Sequence, residues 1–290
     1  MGLSRRHFLQ AAATAIGGSA ALGLYAWQVE PHWVETVRRP LPLAGLPRAL
    51  QGATLLQVSD LHVGHRVSES YLRDTLRGAR ALNPDLVVVT GDFIAWRRGY
   101  KWDQLSRVLE QLPRGRLGTL AILGNHDYGP SWSDLGVADR VHAVLREQRI
   151  VLLRNEVTQV GGLTVAGLED FWCPNFAPDQ VLGSLPPGRS SLILNHNPDA
   201  VDLPVFTPVT GWVLAGHTHG GQCKPPFLPP PILPVRNKRY TAGAFALAAG
   251  RSMYINRALG HLIQVRFNVR PELTLFTLVE AGDAARYLTA

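Results

Sequence analysis

Residues 53–62 read Ala-Thr-Leu-Leu-Gln-Val-Ser-Asp-Leu-His, a short apolar run that stops on Asp60 and His62, two side chains of metal-binding type. A run of this length, bounded by polar residues, suits a buried strand. The pattern repeats twice downstream: Asp85-Leu-Val-Val-Val-Thr90 ends on Gly91-Asp92, and Leu117 to Leu123 ends on Gly124-Asn125-His126-Asp127. Between these runs lie segments of helical spacing, Glu69 to Leu82 with Leu72, Leu76 and Ala79 on one face, and Trp102 to Leu112. Alternation of strand and helix predicts a parallel sheet covered by helices. Ligands of open α/β sheets gather at the carboxyl ends of strands, so three segments far apart in sequence converge there.

After a helix near Leu135 to Gln148 the spacing tightens. Short strands are expected at Ile150 to Leu153, Leu163 to Leu168, Ser191 to Leu194, Trp212 to Ala215, Ala244 to Ala248 and Leu273 to Leu278, with few helices between them. A second sheet packed on the first gives a layered α/β sandwich, with Lys224 to Tyr240 as a long Pro-rich excursion. Two of these strands end as the early ones do, on Asn195-His196-Asn197-Pro198 and on Gly216-His217-Thr218-His219-Gly220. In an extended His-x-His both imidazoles point the same way, because side chains two apart share a face. Five of the ten histidines, His62, His126, His196, His217 and His219, fall at strand ends. Histidines that merely fill a core have no reason to cluster so.

The ordered set Asp60-x-His62, Gly91-Asp92, Gly124-Asn-His-Asp127, His196 and Gly216-His-x-His219 resembles the signature blocks of the calcineurin-like metallophosphoesterase superfamily. A lone Gly-Asp or Gly-His is weak; the set in this order is highly specific. The resemblance implies a four-layer αββα sandwich of two mixed sheets with a dinuclear centre at the carboxyl ends of the strands. Carried over by position, Asp60, His62 and His219 hold one metal, Asn125, His196 and His217 the other, and Asp92 bridges them. Carboxylate, amide oxygen and imidazole suit manganese, iron or zinc. Two cations ~4 Å apart make hydroxide from a shared water at neutral pH and neutralise phosphoryl oxygens during in-line attack. His126 then stabilises developing charge or protonates the leaving oxygen, and Asp127 is expected to orient its ring. A loop-capping role for the pair is the plainer alternative.

The N-terminus bears on location. Ser4-Arg5-Arg6-His7-Phe8-Leu9 sets an arginine pair before an apolar run reaching about Trp27, similar to a twin-arginine export signal and also long enough to span a bilayer. Residues 1–30 therefore read as a signal or an uncleaved anchor, with a buried core helix as the remaining alternative. Residues 31–52, rich in Pro, Arg and Leu without a sustained period, read as a connector, and 53–290 as the catalytic domain. The chain has 290 residues, 46% hydrophobic and 18% charged, which excludes wholesale disorder. Its net charge of +7 favours an anionic partner. Cys173 and Cys223, the only cysteines, cannot build a disulfide framework or a thiolate metal site.

Two further segments speak to substrate. Phe93 to Trp102 is dense in aromatics and cations, and Arg97 and Arg98 are candidates for clamping a phosphate; a surface loop leading into a helix is the alternative. Lys224 to Val235, followed by Arg236, Lys238 and Arg239, suits either a bilayer surface or a rigid loop packed on the domain. The blocks as a whole look like a bacterial exported or membrane-associated phosphodiesterase subgroup related to UDP-2,3-diacylglucosamine pyrophosphatases. The expected partner is thus a phosphorylated small molecule or lipid at a membrane surface, met by a monomeric enzyme. A non-catalytic metal-binding scaffold and a nuclease are the readings of other classes. No recognised nucleic-acid-binding motif supports the latter.

Overall fold

The computed structural model describes residues 4–64, 66–95, 99–186 and 188–283. Its twelve strands are β1 (Glu35–Leu43), β2 (Thr54–Val58), β3 (Leu86–Thr90), β4 (Gly118–Ile122), β5 (Val151–Leu152), β6 (Glu156–Val160), β7 (Leu163–Gly167), β8 (Ser191–Leu194), β9 (Gly211–Ala215), β10 (Gly243–Ala246), β11 (Arg251–Ile255) and β12 (Glu272–Glu280). They form two six-stranded mixed sheets, ordered β1-β12-β2-β3-β4-β5 and β10-β11-β9-β8-β7-β6. In the first, β2 to β5 run parallel as the βαβαβ reading requires, and β12 enters antiparallel to β2. In the second, β7, β8, β9 and β11 are parallel and the outer strands β6 and β10 antiparallel.

Side-chain alternation builds the layers. Leu55, Val88 and Ile122 point inward to meet Val165, Leu192 and Leu214 of the second sheet. Their neighbours Leu56, Val87, Val89 and Ala121 point outward against the helices α2 (Glu69–Ala79), α3 (Trp102–Leu109) and α4 (Leu135–Glu147). Both faces of β3 are therefore buried, which is why its sequence is an unbroken β-branched run. On the far side, Ala166, Ile193 and Val213 pack under α5 (Pro178–Leu182) and the short turns of 3-10 helix at Pro198–Asp202 and Pro204–Phe206. The fourth layer is thin, but the order αββα is as expected.

Residues 31–52 are not simply a connector. Glu35–Leu43 is an edge strand, parallel to β12 in register from Glu35↔Glu272 to Leu43↔Glu280, and Leu41 and Leu43 are buried between the sheets. Pro40 and Pro42 hid it. Proline lacks the ladder N–H and is tolerated on an edge strand when that position faces the unpaired side. Two other strands escaped notice. β6 is mostly exposed and polar, and it joins β7 through Gly161-Gly162, both at positive φ, the two-residue hairpin turn that glycine permits. β11 mixes Arg251 and Ser252 with apolar residues, and only its pairing with β9 defines it.

The N-terminal helix α1 (Arg5–Leu24) begins at Ser4, whose hydroxyl accepts the His7 N–H, and none of its residues is buried, so it is not a core helix of the domain. With the turns that extend it to His32 it is long and apolar enough to cross a membrane. Its root is fixed to the body: Ala26 and Trp27 carbonyls accept from Arg266 N and the Gln264 amide, and the buried Glu30 carboxylate accepts from Val269 N at 2.6 Å.

Because β1 fills the inter-sheet core, Leu41→Ala should lower the free energy of unfolding by roughly 2–5 kcal/mol, as for other buried leucines. A leucine in a mere connector would cost under about 0.5 kcal/mol. Chemical denaturation of the two proteins distinguishes these outcomes.

Candidate metal centre

Beyond their strand ends, the chain segments continue to pair. Asp60 N donates to Gly91 O and His62 N to Asp92 O, both at 3.0 Å, and Gly216 N donates to His196 O at 3.0 Å. The loops are thus held as extensions of the sheets, and their side chains converge on one seam. Asp60, His62, Asp92, His217 and His219 all sit at positive φ, between 47° and 69°. A non-glycine residue rarely adopts this conformation, and each instance costs about 1–3 kcal/mol, so its recurrence at five clustered side chains marks a functional constraint.

Among the described residues, three groups of donor atoms could each hold a metal ion: Asp60, His62 and His219; Asp92, His196 and His217; and, overlapping both, His62, Asp92 and His126. In the first, His62 Nε2 and His219 Nε2 are 3.0 Å apart and His219 Nε2 is 3.2 Å from Asp60 Oδ1. In the second, His196 Nε2 lies 3.3 Å from both His217 Nδ1 and Asp92 Oδ2. Asp92 Oδ2 is also 3.5 Å from His62 Nε2, so this oxygen lies between the groups, while Oδ1 accepts the His126 N–H at 2.9 Å. Asn125 is buried, and its Oδ1 has no partner among the described residues.

Neighbouring groups decide which nitrogen each ring presents. His196 Nδ1 is 2.7 Å from the Thr90 carbonyl and His217 Nε2 is 2.9 Å from the Pro234 carbonyl. A carbonyl can only accept, so each ring donates its N–H there and turns the other nitrogen, with its lone pair, into the cluster. Asp60 is held by Ser59 Oγ and by His217 N at 3.1 Å, an N–H from the opposite sheet. Burial pushes the His62 imidazole well below its usual value and His217 down to about 3, which keeps both rings neutral. Burial raises Asp60 and Asp92, but the surrounding imidazoles outweigh it and hold Asp60 at about 2 and Asp92 well below the carboxylate range. Against its burial, the Asp92 and Asp60 carboxylates raise the His196 imidazole well above its usual value. Oxygen and nitrogen donors without sulfur, with Asn125 Oδ1 lacking a partner among the described residues, fit hard or borderline divalent cations.

The glycines of the motifs have a steric cause. A Cβ on Gly124 would collide with the Asp92 carboxylate, and one on Gly216 with the side chains of Ser59 and Asp60. The Gly-Asn-His and Gly-His pairings therefore record how closely the backbone approaches a carboxylate.

Asp127 differs from expectation. Its Oδ1 accepts from Phe93 N at 2.9 Å and Ile94 N at 3.1 Å, and its Oδ2 from Gly124 N at 2.9 Å, while His126 Nδ1 has no partner among the described residues. The carboxylate is consumed by backbone amides and ties the loop after β3 to the loop after β4; it does not orient the His126 ring. His126 lies edge-on to His62 with ring centroids 4.8 Å apart, and it lines the cleft.

That cleft, about 440 Å³, is bounded by Asp92, Asn125, His126, His217 and His219 and walled by Trp132, Trp172 and Pro234. Trp132 and Trp172 stack at 4.8 Å, and Trp172 meets the His217 ring edge-on at 4.6 Å. Neither tryptophan was singled out from the sequence. Trp172 follows Glu169-Asp170 just past β7, the same strand-end grammar, and could have been found by it. Asp170 is buried beside the cluster, and burial foremost lifts it to about 6. Arg97 and Arg98 lie outside the described residues; Tyr100 and Trp102 from the same segment pack on the body. Cys173 and Cys223 are free thiols.

The calcineurin-like phosphoesterase family matches residues 53–221, more than half of the chain and all of the segments that form the cluster. The chain belongs to this family. It is 32% identical to the phosphodiesterase YaeI of Escherichia coli over 96% of its length and 100% of the relative's, and 31% identical to the metallophosphoesterase YkuE of Bacillus subtilis over 95% and 98%. The UDP-2,3-diacylglucosamine pyrophosphatase LpxG of Chlamydia trachomatis is 26% identical over 90% of this chain and 94% of its own. The chain is accordingly a metal-dependent phosphoester hydrolase.

Asp127→Asn should lower stability by about 1–3 kcal/mol, because an amide NH₂ would face a buried backbone N–H that now donates to a carboxylate oxygen. An unchanged denaturation midpoint, with activity lost through His126 alone, would restore Asp127 to the catalytic role.

Proposed function

We propose that this chain hydrolyses a phosphodiester or phosphomonoester at a membrane face using two divalent cations. Asp60, His62 and His219 would hold one ion, Asn125, His196 and His217 the other, with Asp92 shared. The observation that carries this is the Asp92 carboxylate oxygen set between two imidazole groups beside the unpartnered Asn125 oxygen. The bound ions, of manganese, iron or zinc, supply Lewis acidity that ionises water at neutral pH and offsets phosphoryl charge.

The protein's own contribution is orientation and shelter. Thr90 and Pro234 carbonyls fix the tautomers of His196 and His217. The tryptophan pair and Pro234 exclude bulk water from one side of the cleft, which strengthens electrostatic attraction to an anionic substrate. His126, which lines the cleft, would hold a proton against the leaving oxygen. The apolar helix α1 and the exposed Phe227, Leu228 and Ile232 support an N-terminal anchor, residues 1–30, that keeps the catalytic domain against the bilayer.

A second reading, cleavage of the pyrophosphate in a nucleotide-linked lipid such as UDP-2,3-diacylglucosamine, is favoured by the stacked Trp132 and Trp172, whose faces can hold a base. A substrate panel applied separately to membrane and soluble fractions distinguishes the two.

Purified protein supplied with manganese should hydrolyse bis(4-nitrophenyl) phosphate. Asp92→Ala should be inert, and His126→Ala should retain its metal while losing turnover by about 10²-fold or more. Turnover by wild type in excess chelator would refute the metal-dependent proposal. Loss of metal from His126→Ala, reversed by adding more, would make His126 a ligand.

A further inference from the structure

A second cavity, about 240 Å³, adjoins the metal cleft: His217, His219, Pro234 and Leu262 line both. Beyond the histidines its walls are Cys223, Pro231, Ile232, Leu262, Ile263 and Val265. Thr218 Oγ1 donates to the Thr241 carbonyl, and the wall's amide side chain, Gln222, is likewise spent on the backbone. Its amide donates to the Ile263 and Val265 carbonyls at 2.8 and 3.0 Å, and its oxygen accepts from Leu262 N. Among the described residues, no Asp, Glu, Lys or Arg side chain lines the groove. At its mouth Ile232 and Ile263 are 71% and 55% exposed, flanked by Leu228 and Phe227, which are also exposed. Such a rim is unfavourable in water unless something apolar covers it.

The same wall carries the root of α1, since Gln264 and Arg266 bind the carbonyls of Trp27 and Ala26. The helix able to cross a membrane therefore leaves the domain at the segment that borders the groove.

We propose that this groove is a subsite for one alkyl or acyl chain of the substrate, whose phosphoester lies at the metal cluster. This rests on the phosphoesterase reading above and adds the substrate class, a single-chain or double-chain phospholipid-like ester drawn from the adjoining bilayer. Adjacency to the cleft supports a chain covalently attached to the phosphate over a docked protein segment. Four residues are common to both cavities.

The test uses the full chain, kept in a sterol-based detergent that brings no alkyl chain, and a series of 4-nitrophenyl alkyl phosphates from ethyl to octyl below their micelle concentrations. Water adds to phosphorus, the P–O bond to the aryl group breaks, and 4-nitrophenolate leaves with the electron pair. Each added methylene should raise kcat/KM roughly threefold until the groove is filled, mostly through KM. The Ile232→Asn/Ile263→Asn double variant, altered only at exposed positions, should lower the octyl-to-ethyl ratio at least tenfold. A flat series in wild type, or a ratio unchanged in the variant, overturns the proposal. Binding is read independently at Cys223, the groove thiol, the other cysteine being buried. Octyl phosphate should slow its alkylation at least tenfold more than inorganic phosphate. Equal protection overturns the groove even if the esters are cleaved. If no ester is cleaved but octyl phosphate protects Cys223, the chain subsite stands and the hydrolytic reading falls.

Discussion

Two carboxylates buried at the seam between the sheets set the terms for the rest of this molecule. Asp60 and Asp92 are both removed from water, and an isolated ionised carboxylate in that position would cost several kcal/mol. Here each is compensated from both sheets. Asp92 takes the His126 N–H of the first sheet and faces His196 of the second, and Asp60 takes the N–H of His217 across the seam. The sheets are thus joined at one end by charge and at their centre by the apolar layer of Leu55, Val88, Leu192 and Leu214. Strained φ angles at the clustered side chains, and glycines where a Cβ would strike a carboxylate, are local costs of that convergence.

The same convergence divides labour among neighbouring residues. Asp127, next to His126 in sequence, faces away from the reaction and holds two loops together through three backbone amides. Pro234, in a proline-rich loop far from any motif, orients a histidine of the cluster by its carbonyl. That loop is itself braced: Asp199 accepts the N–H groups of Arg236 and Asn237, and the Lys238 amine binds the Leu233 and Val235 carbonyls. Its packed half serves the cluster and its exposed half, Phe227 to Ile232, forms the apolar rim. The rigid-loop reading of this segment thus describes its packed half, and the exposed half is the part on which the proposed bilayer contact rests.

The parts of the fold legible in the sequence were those where local pattern and tertiary environment agree. β2, β3 and β4 are buried on both faces and read as short apolar runs; α2, α3 and α4 show one apolar face each. β1, β6 and β11 were not legible, because an edge strand with prolines, a polar hairpin arm and a mixed strand owe their conformation to pairing partners up to 237 residues away, as Glu35 does to Glu272.

The site divides in the same way. The strand-end pattern brings Asp60, Asp92 and Asn125 to one edge of the first sheet and His196 and His217 to one edge of the second, because topology gathers the ends of parallel strands; that the two edges face each other was implied only by the family resemblance. Sequence alone could not determine the direction in which each polar group is spent. Whether Asp127 serves a ring or a backbone, which nitrogen His196 and His217 present, and which aromatic and proline side chains wall the cleft depend on angles of a few tens of degrees between segments from different elements. Hydrogen bonds weaken steeply with such angles, and only the packed tertiary structure sets them.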